Sequence, residues 1–89
     1  MRKLRTTAQF KRDLKRAGKR GKDPDKLRRI VAKLAAGEPL DRLNKPHRLL
    51  GDWSPCWECH IEPDWLLIWD EDEESVTLIR TGTHSDLFR

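Results

Sequence analysis

Three histidines, His47, His60 and His84, stand with Asp64 and Arg80 in a chain of 89 residues. Imidazole gives and takes protons near neutral pH without a perturbed pKa, so rings that converge point to general acid and base work. Asp64 could orient a histidine, raise its basicity or act as base itself; as an ordinary turn residue it would do none of these. Arg80 could stabilise extra charge on a phosphate in a transition state, or form a surface ion pair with the acidic run at 70–74. Trp65 and Phe88 offer ring faces for stacking, worth roughly 1–3 kcal/mol per base, although Trp65 would serve equally as a half-buried sheet residue. No glycine-rich phosphate loop, no G-x-S-x-G and no carboxylate cluster suited to magnesium occurs in the sequence. RNA fits this inventory without a metal or other cofactor. Its 2′-hydroxyl is an internal nucleophile, so the protein has only to deprotonate it, stabilise the phosphorane and protonate the leaving oxygen.

These groups need a frame. Alternation of apolar and polar residues predicts a hairpin from 56–62 and 65–69, with Pro63 in a tight turn running from Glu62 to Trp65. That register groups Trp57, Cys59, Ile61, Leu66 and Ile68 on one face, and Glu58, His60, Glu62, Trp65, Leu67 and Trp69 on the other. A last strand over 76–81 carries Val76, Leu78 and Arg80 on one face, and Gly82 lets His84 turn back toward the sheet. Upstream, Thr6-Thr7-Ala8-Gln9 fits a capping box opening a helix to about Arg20, with Phe10, Leu14 and Ala17 as its buried stripe. Asp23-Pro24 caps and starts a second helix bearing Leu27, Ile30, Val31, Leu34 and Ala35, which Gly37 ends. The two helices are expected to lie antiparallel. A short strand over 2–6, a loop over 40–55 and a strand near 48–50 complete a single α+β domain over 1–89, with both helices on one face of a small, mainly antiparallel sheet.

Charge divides the chain. Residues 1–45 hold 16 Lys/Arg against 5 Asp/Glu, a net of +11, while residues 46–89 hold 3 against 10, a net of −7. A basic half suits a nucleic-acid or acidic-protein partner, or else a well-solvated helical surface. Cys56 and Cys59 form one C-x-x-C. As zinc ligands they would need two histidines in addition, and as a redox pair a helix N-terminus; within a strand they point to opposite faces and read as separate thiols. No apolar run approaches the ~20 residues that span a bilayer, and the first residues lack a secretory signal, so no membrane association and a cytoplasmic location are expected.

Three motifs in order carry a family resemblance: His47-x-Leu49-x-Gly51-x-Trp53, His60-x-Glu62-Pro63-Asp64-Trp65-x-Leu67-Ile68, and Arg80-Thr81-Gly82-Thr83-His84-x-x-Leu87-Phe88. With the two lysine-rich helices they cover nearly the whole chain, which resembles the YafQ-type toxins of the RelE superfamily from type II toxin–antitoxin systems. The resemblance implies a RelE-like fold and a ribosome-dependent mRNA endoribonuclease, metal-independent and neutralised by a cognate antitoxin of ribbon-helix-helix type. It implies His47, His60, Asp64 and His84 as the acid/base group, Arg80 as phosphate stabiliser, and Trp65, Phe88 and Lys45 as substrate contacts. His84 is the expected acid on the leaving 5′-oxygen, with Asp64 or His60 as base. Lys11, Lys15, Arg16 and Lys19 then have a purpose in docking on ribosomal RNA. The competing readings are a non-enzymatic, ParE-like inhibitor of DNA gyrase, and a plain RNA-binding module.

Overall fold

The hairpin predicted from alternation forms, but with a one-residue irregularity that decides which side chains share a face. The structure is a computed structural model, and it describes residues 1–88. Strands β1 (Lys3–Thr6), β2 (His47–Arg48), β3 (Trp57–Glu62), β4 (Trp65–Glu71) and β5 (Ser75–Gly82) make one sheet in the order β1-β5-β4-β3-β2. All pairings are antiparallel except β1 with β5. Helices α1 (Ala8–Lys19) and α2 (Pro24–Ala36) cover one face, and the short α3 (His84–Leu87) sits against the other.

Pro63 and Asp64 make the turn as expected, and Glu62 opposes Trp65. Ile61 then falls out of the ladder, so that His60 opposes Leu66, Cys59 opposes Leu67 and Trp57 opposes Trp69. A β-bulge of this kind shifts every later pair by one residue, and with it the face each partner occupies. The expected grouping of Leu66 and Ile68 with Trp57 and Cys59 is therefore wrong. Trp57 stacks on Trp69 at 6.3 Å, and Cys59, Trp65, Leu67 and Trp69 join Phe10, Leu27, Ile30 and Leu34 in the core beneath the helices. Leu66 and Ile68 face the other way, where Leu87 of α3 covers them. A second irregularity, at Ile79, moves Arg80 from the face of Val76 and Leu78 to a position opposite Ile68.

The helices follow their caps. Asp23 accepts from Asp25 N–H, Pro24 opens α2, and Gly37 closes it at φ 72°, where a left-handed backbone favours glycine. In α1 the cap is Thr7 rather than Thr6, which ends β1 opposite Leu78; Thr7 Oγ1 accepts from Phe10 N–H. Gln9 binds Asp13 at 2.9 Å instead of reaching back to the cap. The buried stripe of α1 is also rotated: Leu14 is 38% exposed, and Asp13 takes the inward position at 2%. Its burial is explained by a charged partner on β5, described below.

Candidate active site

The open face of the sheet gathers the ionisable groups. Glu58 and His60, two apart on β3, point the same way because successive strand side chains alternate, and they oppose Ile68 and Leu66. His47 on β2 lies opposite Glu58. Its Nε2 is 3.1 Å from Glu58 Oε1 and its Nδ1 is 3.2 Å from the Arg48 carbonyl. The Arg48 carbonyl can only accept, so Nδ1 donates there and Nε2 faces the Glu58 carboxyl. Glu58 is 5% exposed, and its Oε2 has no hydrogen-bond partner among the described residues.

His84 approaches from the other side. Gly82 ends β5, Thr83 caps α3, and Asp86 returns the capping box. A Cβ at position 82 would meet Asp86 Oδ2 at 2.8 Å, so the glycine is needed for this close return. The Asp64 carboxylate accepts twice from His84, from the backbone N–H at 2.9 Å and from Nδ1 at 2.6 Å. Those two bonds, the backbone one first, hold the Asp64 carboxyl below its ordinary range. Asp64 is thus a fixed anion that sets the His84 tautomer, with the proton on Nδ1 and Nε2 left to exchange with a ligand. His60 lies across from it, ring centroids 5.7 Å apart, and its Nδ1 is 3.2 Å from the Pro63 carbonyl. A carbonyl can only accept, so Nδ1 donates there and, in the neutral ring, Nε2 carries the lone pair.

Arg80 is tied from behind. Its Nε donates to Asp13 Oδ2 at 2.7 Å and its Nη2 to Oδ1 at 3.2 Å, while Asp13 also accepts from Gln9 and from Thr81 N–H. Burial pushes the Asp13 carboxyl up, but these bonds outweigh it and leave its pKa below the ordinary value. The anchored side-on pair spends two of the five guanidinium N–H groups.

This arrangement can move a proton at two opposed imidazoles and neutralise an oxyanion near them. The family described as the bacterial toxin of type II toxin–antitoxin systems, YafQ, matches residues 2–89. The chain belongs to the YafQ toxin family. The mRNA interferase toxin YafQ of Escherichia coli K12 is 38% identical over 88 residues, which are 98% of this chain and 96% of the relative. Among solved structures, the toxin in the Escherichia coli DinJ–YafQ toxin–antitoxin complex has a TM-score of 0.92 at 37% identity, covering 99% of this chain and 98% of that one. A copper-bound mutant toxin from Helicobacter pylori has a TM-score of 0.94 at 36% identity, over 99% and 100%.

Against that YafQ-family frame, His47, His60, Asp64, Arg80 and His84 all border the open face or its rim. Phe88 reaches the same side, 40% exposed and edge-on to Trp53 at 5.8 Å. Lys45 lines a groove of roughly 570 Å³ together with His60 and Pro63. Trp65 does not belong to this surface. It is 2% exposed beneath the helices, with Nε1 donating to Thr81 Oγ1 at 3.0 Å, because the bulge turned it inward. Lys11, Lys15 and Lys19 are exposed on α1, whereas Arg16 lies 3.3 Å from Asp86 and, with Arg20 at 2.6 Å, braces α3. The Arg20 hydrogen bond first, with the Thr83 N–H bond opposing burial beside it, keeps the Asp86 carboxyl well below its usual range.

Three residues escaped the sequence reading. Glu58 shares the alternation that placed His60, so its face was available, but nothing in its type marked it out. Trp53 stood inside a quoted motif, yet its contact with Phe88 joins positions far apart in the chain. Asp13 had a local signal only in being an acid within a basic helix. The cysteines are separate thiols: Cys59 lies in the helix-side core and Cys56 against the opposite cluster. Burial, with the Glu58 charge second, pushes the Cys59 thiol up to about 12, so no thiolate chemistry is poised there.

Proposed function

We propose that this YafQ-family chain is an mRNA interferase that cleaves RNA on the ribosome by acid and base catalysis, with the RNA 2′-hydroxyl as nucleophile and no metal in the reaction. The observation that carries this reading is the opposed pair of imidazoles, each held through Nδ1 by an acceptor and each with Nε2 left to meet a ligand. His60 Nε2 has the free lone pair required of a base toward the 2′-hydroxyl. His84, held through Nδ1 by Asp64, acts in its imidazolium form, whose Nε2–H passes to the leaving 5′-oxygen and leaves the neutral Nδ1–H ring. Asp64, kept anionic, is better suited to orienting His84 than to acting as the base. Arg80 supports charge on the phosphorane through donors that Asp13 leaves free, and His47, paired with Glu58, borders the same face. Phe88 stacks on a base and Lys45 contacts the backbone. Lys11, Lys15 and Lys19 dock on ribosomal RNA. A cognate antitoxin, of ribbon-helix-helix type, neutralises the toxin in the cytoplasm.

The test is single-turnover cleavage of mRNA on programmed ribosomes. Removing a general acid costs about 10²–10⁴-fold in rate, so His84→Gln is expected to lose that much while its thermal stability stays near that of the parent. Undiminished cleavage by His84→Gln would refute the assignment.

A further inference from the structure

The RNA-cleavage reading brings to His60 the ribose that supplies the 2′-hydroxyl, but it leaves the base on that ribose without a seat. His60 also lines the groove of roughly 570 Å³ beside the part of β3 that β2 leaves unpaired, where the short helical turn Arg42–Asn44 takes the place of a strand. The base hangs on the ribose carbon next to the one bearing the hydroxyl, so it lies within one sugar's reach of His60. We propose that this groove seats the nucleobase immediately 5′ of the cut, with Asn44 reading its edge and Leu43 packing on its face.

Three features of the turn point to a ligand. Leu43 is 88% exposed, an apolar side chain standing at the rim of the groove. Lys45 has φ 47°, alone in positive φ among the described residues other than glycine, and a side chain in that left-handed region is uncommon except where a site needs it. The Asn44 amide is fixed by donating from Nδ2 to the His60 carbonyl at 2.8 Å. That bond uses one N–H. The second N–H and Oδ1 take no partner among the described residues, and together they form a donor beside an acceptor.

This lining matches the chemistry of a base, which is flat, apolar on its faces and polar along its edge. Single-stranded bases are held by packing on the face and by hydrogen bonds to the edge. Leu43, Ile61 and Pro63 supply apolar walls, and Asn44 supplies the partner for the edge. The acids that line the groove are already countered, Asp41 by Lys33 at 3.0 Å and Glu62 by Lys22 and Lys26 at 2.8 Å each, so they do not repel a polyanion as free carboxylates would. An amide pinned at one end presents its donor and acceptor in one order, and it favours bases whose edge carries the complementary order.

This inference rests on the RNA-cleavage reading for which base is seated, so one arm of the experiment needs cleavage and the other does not. In the first, single-turnover cleavage on programmed ribosomes is measured with each of the four bases in turn immediately 5′ of the cut. Asn44→Ala is expected to change the ratio of rates among the bases by about 5-fold or more. Asn44→Asp, which can only accept, is expected to shift the ratio toward guanine, the one base with two N–H donors side by side on its Watson–Crick edge. Far-UV circular dichroism and melting curves check that each variant is folded. If Asn44 serves only to hold His60, both variants slow all four bases equally, and that result overturns the reading role. In the second arm, the four nucleoside 3′-monophosphates are titrated into isotope-labelled protein and followed by NMR. Saturable shifts are expected at the Asn44 side-chain amide and the Leu43 methyls, and Leu43→Ala is expected to weaken binding several-fold with its melting temperature unchanged. Absent saturable binding, or shifts that avoid the groove, overturns the seat. Nucleotide binding in the groove by a chain that cuts no RNA on ribosomes would leave the seat standing and refute the RNA-cleavage reading instead.

Discussion

Removing Arg80 should reverse the pH dependence of one part of the stability. Asp13 is 2% exposed and is held as an anion chiefly by Arg80, whose guanidinium lies within 2.7 Å. Breaking a buried pair by deleting one member costs about 3–5 kcal/mol, because the other charge is left uncompensated. On a domain whose whole stability is roughly 0.05–0.15 kcal/mol per residue, Arg80→Ala should remain measurable but weakened at neutral pH. The sign of the pH effect follows from the two pKa directions. In the parent, the Asp13 pKa is depressed below its ordinary 3.8, so its contribution is complete above that pH and is lost as pH falls through the folded value. Without Arg80, the burial that already pushes this carboxyl upward has less opposing it, and its folded pKa should rise above the unfolded one. Protonation then favours the folded state, and the variant recovers stability relative to the parent as pH falls from 7 toward 4. The recovery is bounded by about 1.4 kcal/mol per pH unit for one proton. Urea unfolding of parent and variant across that range gives the difference curve directly, and subtraction removes carboxylates common to both, such as Asp64 and Asp86. A destabilisation that stays constant or grows on acidification would refute the account of Asp13 as a buried anion held by Arg80.

Two further outcomes test how the site is positioned. Gly82→Ala places a methyl 2.8 Å from Asp86 Oδ2 and 2.9 Å from its Cβ, so α3 must shift. Overpacking of this kind costs about 1–3 kcal/mol, and cleavage should fall further than stability because His84 moves with the helix; melting curves beside single-turnover rates separate the two. Charge reversal of Lys11, Lys15 and Lys19 together should weaken ribosome binding and flatten its salt dependence by roughly one unit of slope for each phosphate no longer neutralised. A filter-binding titration over a range of salt would show this, and an unchanged slope would remove those lysines from the interface.

The sequence carried the elements and much of the chemistry, and it failed where a single residue changed register. Asp23-Pro24, the apolar spacing of α2 and Gly37 are local signals, and they produced that helix with its caps in place. His47, His60, Asp64 and His84 were legible as types, and their convergence followed from the order of strands feeding one sheet. Ile61 carries no sign that it will leave the ladder. An isoleucine is at home in a strand, and the bulge arises because Ile61 packs against the helix-side core while Glu62 turns to Lys22 and Lys26 at 2.8 Å each. These are tertiary contacts with α2 and the turn before it, and no pattern within the hairpin reports them. The consequence was large: Trp65 moved from the proposed binding surface into the core. Leu14 failed for a related reason, since periodicity counts apolar residues and cannot foresee that an aspartate 67 positions from its arginine will take the inward place.

That substitution of Asp13 for Leu14 explains how so small a domain holds a site on the side of the sheet its helices do not cover. Helix α1 lies over the edge of β5, with Thr7 Oγ1 donating to the Ile79 carbonyl at 2.8 Å. From there Asp13 reaches Arg80 and Thr81, and Arg16 and Arg20 reach Asp86. One helix therefore fixes both ends of the proposed reaction centre, the Arg80 guanidinium and the four-residue helix bearing His84. Apolar residues at those inward positions would strengthen the core by burial alone, yet they would remove the ion pairs that hold α3 through Asp86. Because the fixing groups are charged pairs of opposite polarity, with the acid on α1 for Arg80 and the bases on α1 for Asp86, exchanging one pair's signs without the other's would bring like charges together. The geometry of the site thus depends on the polar inward residues of α1 as much as on the strands that carry the histidines.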